Sequence, residues 1–238
     1  MKNYVLWLIG GASVLVSWFI WDKSPEYIHQ GGPLLVLGLT CLFLVFTFAI
    51  ERFLVLWRAG GRGNVTGFVA NLRTALKAGN VAEALEACKR QGGTLGNVVG
   101  AGLERYLAMK GVTTDRKELI EETREAIAEA SAVESPLLEK NLSALSTIAS
   151  IATMLGLLGT TIGMIRSFRA MSNAGAPDAT QLALGISEAL VNTALGLMTA
   201  IVGIVLYNYF TTRVDTFSHD MEETTFEVLA LLKRKKDA

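Results

Sequence analysis

The chain has 238 residues, and its 22 lysines and arginines balance its 22 aspartates and glutamates. This balance excludes the strongly basic surface that a nucleic-acid partner requires, so no nucleic acid is expected. With 51% hydrophobic and 18% charged residues, the composition is too apolar for an ordinary soluble domain. It is typical of a membrane protein that carries one soluble region.

The cysteines and histidines predict neither a disulfide framework nor a metal site. Cys41 lies in an apolar window and Cys88 in a charged stretch of helical character, so both are predicted to be free thiols. His29 and His219 stand far apart, and no Cys/His cluster has metal-ligand spacing. We therefore expect no metal and no cofactor.

Four apolar windows are long enough to cross a bilayer, for which a helix needs about 20 residues. They predict an all-α membrane protein with three core transmembrane helices, an extra N-terminal hydrophobic helix, and long helices that extend into a cytoplasmic helical region. The predicted segments are the N-terminal hydrophobic anchor or leader 1–21, the transmembrane helices 33–57, 141–170 and 182–212, the cytoplasmic helical region 58–140 and the cytoplasmic tail 213–238.

The first window, which begins with Met1-Lys2, has two interpretations. No small-x-small cleavage pattern precedes Asp22, and this favours a retained anchor over a signal peptide. A cleaved leader that leaves a three-span chain stays open as the alternative.

The distribution of lysine and arginine predicts the orientation of the spans. The stretch from Arg58 to Lys140 and the tail Lys233–Lys236 hold most of the basic residues, and such segments face the cytoplasm. The loops Asp22–Gly32 and Asn173–Gln181 contain Lys23 as their only cation and are predicted to face outward.

Two arginines at the outer end of the third window do not fit this distribution. They are Arg166 and Arg169. Long basic side chains near the end of a span can extend to the lipid headgroups at moderate cost, and we expect both to do so.

Residues 58–140 predict a helical region without an active site. The glycine-rich Arg58–Asn64 predicts a flexible joint, and Asn80–Glu83 and Asp115–Glu118 have the form of helix N-caps. A long charged helix is predicted from Asp115 towards the third window, kinked or restarted at Pro136. No nucleophile elbow, Walker-type loop or paired histidine and carboxylate motif is present, so we expect no enzyme.

Glu188 is the one carboxylate deep in an apolar window. An ionised group in a span costs about 3 kcal/mol or more, so such residues face a bundle interior or a hydrated path. Glu188 is therefore either a neutral hydrogen-bonding residue between helices or a step of a proton pathway. Asn192 and Thr199 share its helix face, which favours the pathway. Thr193 points elsewhere, to the preceding helix or to a pore.

Hydroxyl side chains recur along the third window. Ser146, Thr153, Thr160 and Ser167 follow one another every seven residues, and Ser150 falls on nearly the same face. A single membrane serine or threonine usually bonds a carbonyl of its own helix. Four in register favour a stripe that solvates a file of water or a partner's carboxylate.

Small residues predict that the third and fourth windows pack closely as an antiparallel hairpin. The third window carries Gly156, Gly159 and Gly163, and the fourth carries Ala189, Gly196 and Gly203. At this packing Thr160 and Glu188 are expected at a similar depth in the bilayer.

Two stretches resemble the paired signature of the ExbB/TolQ family. They are Gly156-Leu-Leu-Gly-Thr-Thr-Ile-Gly-Met-Ile165 and Gly185-Ile-Ser-Glu-Ala-Leu-Val-Asn-Thr-Ala-Leu-Gly-Leu197. Residues 49–56 resemble the family's first conserved span near its inner end, whereas residues 58–140 match in placement and helical character only. Of the whole family, the chain is most like ExbB.

This resemblance implies a proton-channel subunit of the bacterial inner membrane, in a homopentameric ring. The ring would enclose an ExbD- or TolR-like single-span partner with a membrane aspartate. It would energise a TonB- or TolA-like periplasm-spanning protein, with TonB-dependent transport as the expected process. Glu188 would be the family's membrane glutamate, with Thr160 and Thr193 lining the lumen. The proton-pathway candidates are Glu188, Thr160, Thr193, Thr153 and Asn192, and the helix-packing candidates are Gly156, Gly159, Gly163 and Gly196.

The chain departs from the family pattern in two respects, and other classes of protein stay open. Its first window is not part of the three-span core, and Asn192 stands where many members have a smaller residue.

Flagellar stators similar to MotA share the glycine-rich span but replace the glutamate. A non-conducting scaffold that recruits partners through cytoplasmic helices is the alternative function, and an intramembrane hydrolase lacks a histidine or aspartate partner for the glutamate.

Overall fold

The computed structural model describes residues 3–23, 32–113, 115–173 and 179–234. Within these ranges the side chains of residues 3–10 and of Asn173 are not described. Most of the two loops predicted to face outward, and the last residues of the basic tail, therefore lie outside the described residues.

The described part of the chain is helical throughout and contains no strand, which confirms the predicted all-α class. Its eight helices are α1 Asn3–Lys23, α2 Gly32–Ala59, α3 Val65–Lys77, α4 Val81–Gln91, α5 Gly93–Met109, α6 Arg116–Glu139, α7 Leu142–Asn173 and α8 Ala179–Arg234.

Three helical runs are long and apolar enough to cross a membrane by length and composition. They are Gly32–Ala59, Arg116–Ser172 and Ala179–Arg234. The three predicted core spans fall almost wholly inside α2, α7 and the first half of α8. Where a bilayer begins and ends along these helices stays a prediction, as does the role of α1 as leader or anchor.

The chain divides into two compact units. The first contains residues 1–52 and 141–209, and the second contains residues 53–140 and 210–238. In the first unit the buried side chains of α7 are mostly small, with Leu145, Ala149 and Ala152 fully buried. Small residues allow helix backbones to approach closely, which supplies packing contacts where water provides no driving force.

Helices α3 to α6 give the second unit an ordinary apolar core, in which Leu72, Val98 and Leu103 are almost fully buried. Its helices begin at side-chain caps, as predicted. Asn80 accepts a hydrogen bond from the backbone N–H of Glu83 and donates to the Glu83 carboxylate, which forms a reciprocal cap. Asp115 caps α6 by accepting from the N–H of Lys117.

The glycine-rich segment after α2 forms a turn that packs against the end of α4, and its flexibility as a joint stays a prediction. The N–H of Arg62 donates to the carbonyl of Gln91 at 2.7 Å, and Gly61 and Gly93 have φ angles of +72° and +68°. A Cβ at Gly61 would lie 2.7 Å from the Gln91 oxygen. These glycines are needed because two turns meet backbone to backbone.

Of the two outcomes expected at Pro136, a restart of the helix is wrong and a kink stays a prediction. Pro136 lies inside α6, which continues to Glu139. The break comes instead at Asn141, whose φ of +62° is left-handed, and α7 begins at Leu142. Asparagine tolerates this conformation better than most residues, so the local sequence permits the break there.

Cys88 is expected to resist alkylation in the folded protein. Its side chain is buried in the second unit, and burial raises the pKa of the thiol to about 12. Because the thiolate is the reactive form, a soluble maleimide at pH 8 should leave Cys88 unlabelled in a Cys41→Ser chain until denaturant is added. Val112→Cys, at a position 79% exposed, is the positive control. Labelling of native Cys88 at the rate of this control would contradict the burial.

Candidate functional site

Helices α7 and α8 pack closely along a line of small residues, here called the α7–α8 seam and defined by Gly156, Gly159 and Gly163 of α7 with Ala189, Asn192 and Gly196 of α8. A Cβ at Gly196 would lie 2.6 Å from the carbonyl oxygen of Ala152 and 2.8 Å from the Cα of Gly156. At Gly163 a Cβ would lie 2.5 Å from the carbonyl oxygen of Gly185. Backbone thus meets backbone, as the glycine pattern predicts.

Hydroxyl groups connect the two helices at both ends of the seam. The Thr193 hydroxyl lies 3.1 Å from the carbonyl of Gly156 and 3.0 Å from that of Ala189 in its own helix. Ser167 is fully buried and donates to the carbonyl of Leu182 at 3.2 Å. Thr193 therefore faces the preceding helix in the isolated chain, one of its two predicted directions.

Glu188 lies in this contact with 7% of its surface exposed. Both of its carboxylate oxygens are 2.5 Å from Nη1 of Arg166 on α7. Gly32, the first residue of α2, lies against the same carboxylate, since a Cβ there would be 2.5 Å from Oε1. The side chain is thus buried and charge-paired at the meeting of three helices.

Arg166 pairs with Glu188, which the sequence did not predict, and its contact with lipid headgroups stays a prediction. Its side chain is 51% exposed, so the guanidinium reaches the carboxylate from the surface of α7. The physical reason is electrostatic: an opposite charge 2.5 Å away offsets the cost of a buried carboxylate more than a distant headgroup could.

Asn192 is buried in the seam and donates through Nδ2 to the carbonyl of Glu188 at 2.9 Å. It lies against Gly159, whose missing side chain makes the space that the Asn192 side chain fills. Thr199 is also fully buried, and donates to the carbonyl of Leu195. Asn192 and Thr199 thus continue the face of Glu188 along α8, as their spacing predicted.

The remaining hydroxyls of the stripe bond to their own helix. Ser146 donates to Ser143, Ser150 to Ser146, Thr153 to Ala149 and Thr160 to Leu157, each to a backbone carbonyl. No hydrogen bond within the described residues joins Thr153 or Thr160 to Glu188. A role of these hydroxyls along a hydrated path stays a prediction.

A second polar cluster escaped the sequence analysis. Arg52, with 1% of its side chain exposed, donates through Nε and Nη2 to both oxygens of Glu51 at 2.8 and 2.7 Å. Asn141 Nδ2 donates to the same carboxylate at 3.2 Å. This Arg52 cluster joins α2 to Asn141, the residue just before α7. The charged pair that interrupts the second apolar window was its sequence signal.

Replacing Arg52 with methionine is expected to lower the free energy of unfolding by about 2–3 kcal/mol. Removing one partner of a buried ion pair typically costs more, but Glu51 keeps Asn141 and some contact with water. Thermal unfolding in detergent measures the change. Arg73→Met, which breaks the more exposed pair with Glu227, is the matched control and should change little. Equal effects of the two substitutions would contradict the cluster's role.

Within the described residues, no group of three or more histidine, cysteine, aspartate or glutamate side chains could hold a metal ion. The chemistry of the site thus consists of one buried carboxylate, its arginine and neighbouring amide and hydroxyl groups. The described residues therefore define an all-helical protein with three membrane-length helical runs and a buried carboxylate in a glycine-lined seam.

The comparison with protein families agrees with this class. The sequence profile of the MotA/TolQ/ExbB proton channel family matches residues 94–223, more than half of the chain. The chain therefore belongs to the MotA/TolQ/ExbB proton channel family. The match runs from α5 into α8 and includes the seam and Glu188.

The chain is also similar to individual proteins named ExbB and TolQ. The chain is 28% identical to a biopolymer transport protein ExbB of Pseudomonas putida over 91% of this chain and 65% of that protein. It is 33% identical to a Tol-Pal system protein TolQ of Haemophilus influenzae over 56% of this chain and 59% of that protein. It is 32% identical to a biopolymer transport protein ExbB of Aquifex aeolicus over 49% of this chain and 71% of that protein. The chain thus spans about three fifths of the length of the first two relatives.

Proposed function

We propose that this chain is the channel-forming subunit of a proton-driven motor in the bacterial inner membrane. The observation that carries the proposal is Glu188, an ionisable side chain buried at the glycine-lined contact of two membrane-length helices. A carboxylate in such a place is costly and is typical of proton relays. Membership of a proton channel family supports the same function.

The seam has the groups that a relay step needs. A carboxylate oxygen of Glu188 can bind a proton and release it again. Asn192 and Thr193 add polar groups beside it. Thr160 and Thr153 are proposed to solvate water along α7, because hydroxyls can line a path without the insertion cost of a charge.

The proposed assembly is a ring of several copies, five by the family resemblance. It would surround an ExbD- or TolR-like single-span subunit and work on a TonB- or TolA-like periplasm-spanning protein, with TonB-dependent transport as the proposed process. Many large apolar side chains of α7 and α8 are exposed in the single chain, and lipid or further copies must cover them. They include Met154, Leu157, Leu190, Leu197, Met198 and Ile201.

A structural role for Glu188 is the second candidate. The ion pair with Arg166 links α7 to α8 and needs no proton movement. The chain would then be a non-conducting scaffold whose charged helices, α6 above all, recruit soluble partners. The close packing of the seam is compatible with both functions. Identification of the proteins that bind to this chain therefore distinguishes the motor from the scaffold.

Purification of the full chain from native membranes in mild detergent, followed by native mass spectrometry, tests the proposal. We expect several copies of the chain together with a single-span protein that carries a membrane carboxylate. The measured mass gives the number of copies in the assembly directly. The periplasmic part of the partner identifies the process that is energised. Recovery of this chain with soluble proteins alone would overturn the motor and support the scaffold.

A further inference from the structure

Arg166 holds Glu188 in an unusual way. A single nitrogen, Nη1, approaches both carboxylate oxygens at 2.5 Å, whereas Nε and Nη2 make no hydrogen bond within the described residues. Two parallel bonds from two nitrogens give the strongest arginine–carboxylate geometry. Arg52 has that geometry with Glu51, so the same chain contains both arrangements.

The two ion pairs also differ in their exposure. The side chain of Arg52 is 1% exposed, but that of Arg166 is 51% exposed. Water can therefore reach the guanidinium of Arg166 and take over its hydrogen bonds when the pair opens. Opening either pair leaves one buried charge, the Glu188 carboxylate in one case and the Arg52 guanidinium in the other. A carboxylate can be neutralised by a proton whereas a guanidinium cannot lose one, so the Arg166 pair is the one whose opening protonation can offset.

Arg166 is also the charged group that faces Glu188 in the described part of the chain. Helix α2 packs against the carboxylate through Gly32, which has no ionisable side chain. On α8 itself the neighbouring polar group is the neutral Asn192. Among these groups, Arg166 is therefore the one whose displacement changes the electrostatic surroundings of the Glu188 carboxylate.

We propose that Arg166 is a positioning residue that gates proton uptake by Glu188. While the pair is closed, the guanidinium holds the carboxylate in its charged form. When it opens, the two N–H···O contacts break and a carboxylate oxygen takes the proton of a hydronium ion that arrives from the aqueous phase, leaving neutral water, while Arg166 keeps its own protons and its charge. Release of the proton restores the carboxylate and the pair closes. This inference rests on the proposed proton-pathway function of Glu188.

Infrared difference spectroscopy of the full chain in lipid at neutral pH tests the gate, because a protonated glutamate has a C=O stretch that a carboxylate lacks. In the unmutated protein we expect no protonated-carboxyl band from Glu188, so the Glu188→Gln spectrum should lose no band in this region. In Arg166→Gln we expect the band to appear, and to vanish in the double variant Arg166→Gln/Glu188→Gln. Arg166→Lys, which keeps a cation, should behave as the unmutated protein.

Proton uptake into vesicles under an imposed potential supplies a second measurement. Arg166→Gln should raise passive uptake by the chain several-fold, since the gate is removed, and Arg169→Gln, one helical turn away and exposed, should not. A protonated-carboxyl band from Glu188 in the unmutated protein would contradict the gate by itself. The proposal can therefore be tested even if the Arg166 variant does not fold.

The results separate the gate from the function on which it rests. A Glu188 band in the unmutated protein, or an unchanged spectrum and uptake in Arg166→Gln, would overturn the gate. If Glu188→Gln then still abolishes proton-driven uptake, the pathway stands and the gate alone fails. If Glu188→Gln conducts protons normally, the proposed function itself fails.

Discussion

Glu188→Gln is expected to reduce proton-driven activity to background while the assembly stays intact. Glutamine keeps the size of the side chain and can occupy the same place beside Arg166 and Gly32, but it cannot take up and release a proton. The measurement is proton uptake by the chain, purified with its partners and reconstituted in vesicles with a trapped pH-sensitive dye. Native mass spectrometry of the same sample reports the assembly.

Glu222→Gln is the matched control for this prediction. Glu222 lies on the same helix, α8, but is exposed and belongs to the second unit. Its replacement should leave uptake unchanged. Normal uptake by both Glu188→Gln and Glu188→Ala would rule out a proton step at this residue and favour the structural role of the ion pair.

Alanine at Gly163 or Gly196 is expected to destabilise the packing of α7 on α8. At either position the new Cβ would lie 2.5–2.6 Å from a backbone carbonyl oxygen of the other helix. Backbone cannot move aside as a flexible side chain can, so each substitution should cost at least the roughly 1–3 kcal/mol typical of overpacking. Thermal unfolding in detergent and the fraction of intact assembly on size exclusion report the loss.

Two other glycines calibrate this effect. A Cβ at Gly156 would meet its nearest neighbours at 3.3–3.4 Å, so Gly156→Ala should cost clearly less than Gly196→Ala. In α1, a Cβ at Gly11 would meet nothing within 4 Å in the described chain, and Gly11→Ala should be neutral. Equal behaviour of all four substitutions would contradict the geometry of the seam.

The comparison of sequence and structure separates local signals from long-range pairings. The cap at Asn80 was predictable, because both of its partners lie within one helical turn and the residue types alone determine the hydrogen bonds. The glycines of the third and fourth apolar windows were predictable as packing positions for a similar reason, since residues spaced by helical turns share a face whatever the rest of the chain does. The resemblance of these windows to a family also pointed to Glu188.

The partner of Glu188 was not predictable in this way. Arg166 is 22 residues away and was expected to face the headgroups. Its pairing depends on the rotation and register of α7 against α8, which are set by many contacts at once. The hydrogen bonds of the hydroxyl stripe depend on the same register: Ser167 donates across to α8, while Thr160 donates within its own helix.

The sequence by itself determined the helical class, the membrane-length apolar segments, the caps and the one unusual carboxylate, because each of these depends on composition or on neighbours within a few residues. Only the tertiary structure decided that Arg166 pairs with Glu188, that Asn192 fills the space beside Gly159, and that the helix is interrupted at Asn141. These depend on which helix faces meet, and the free energy of that choice is a sum over contacts distant in the chain.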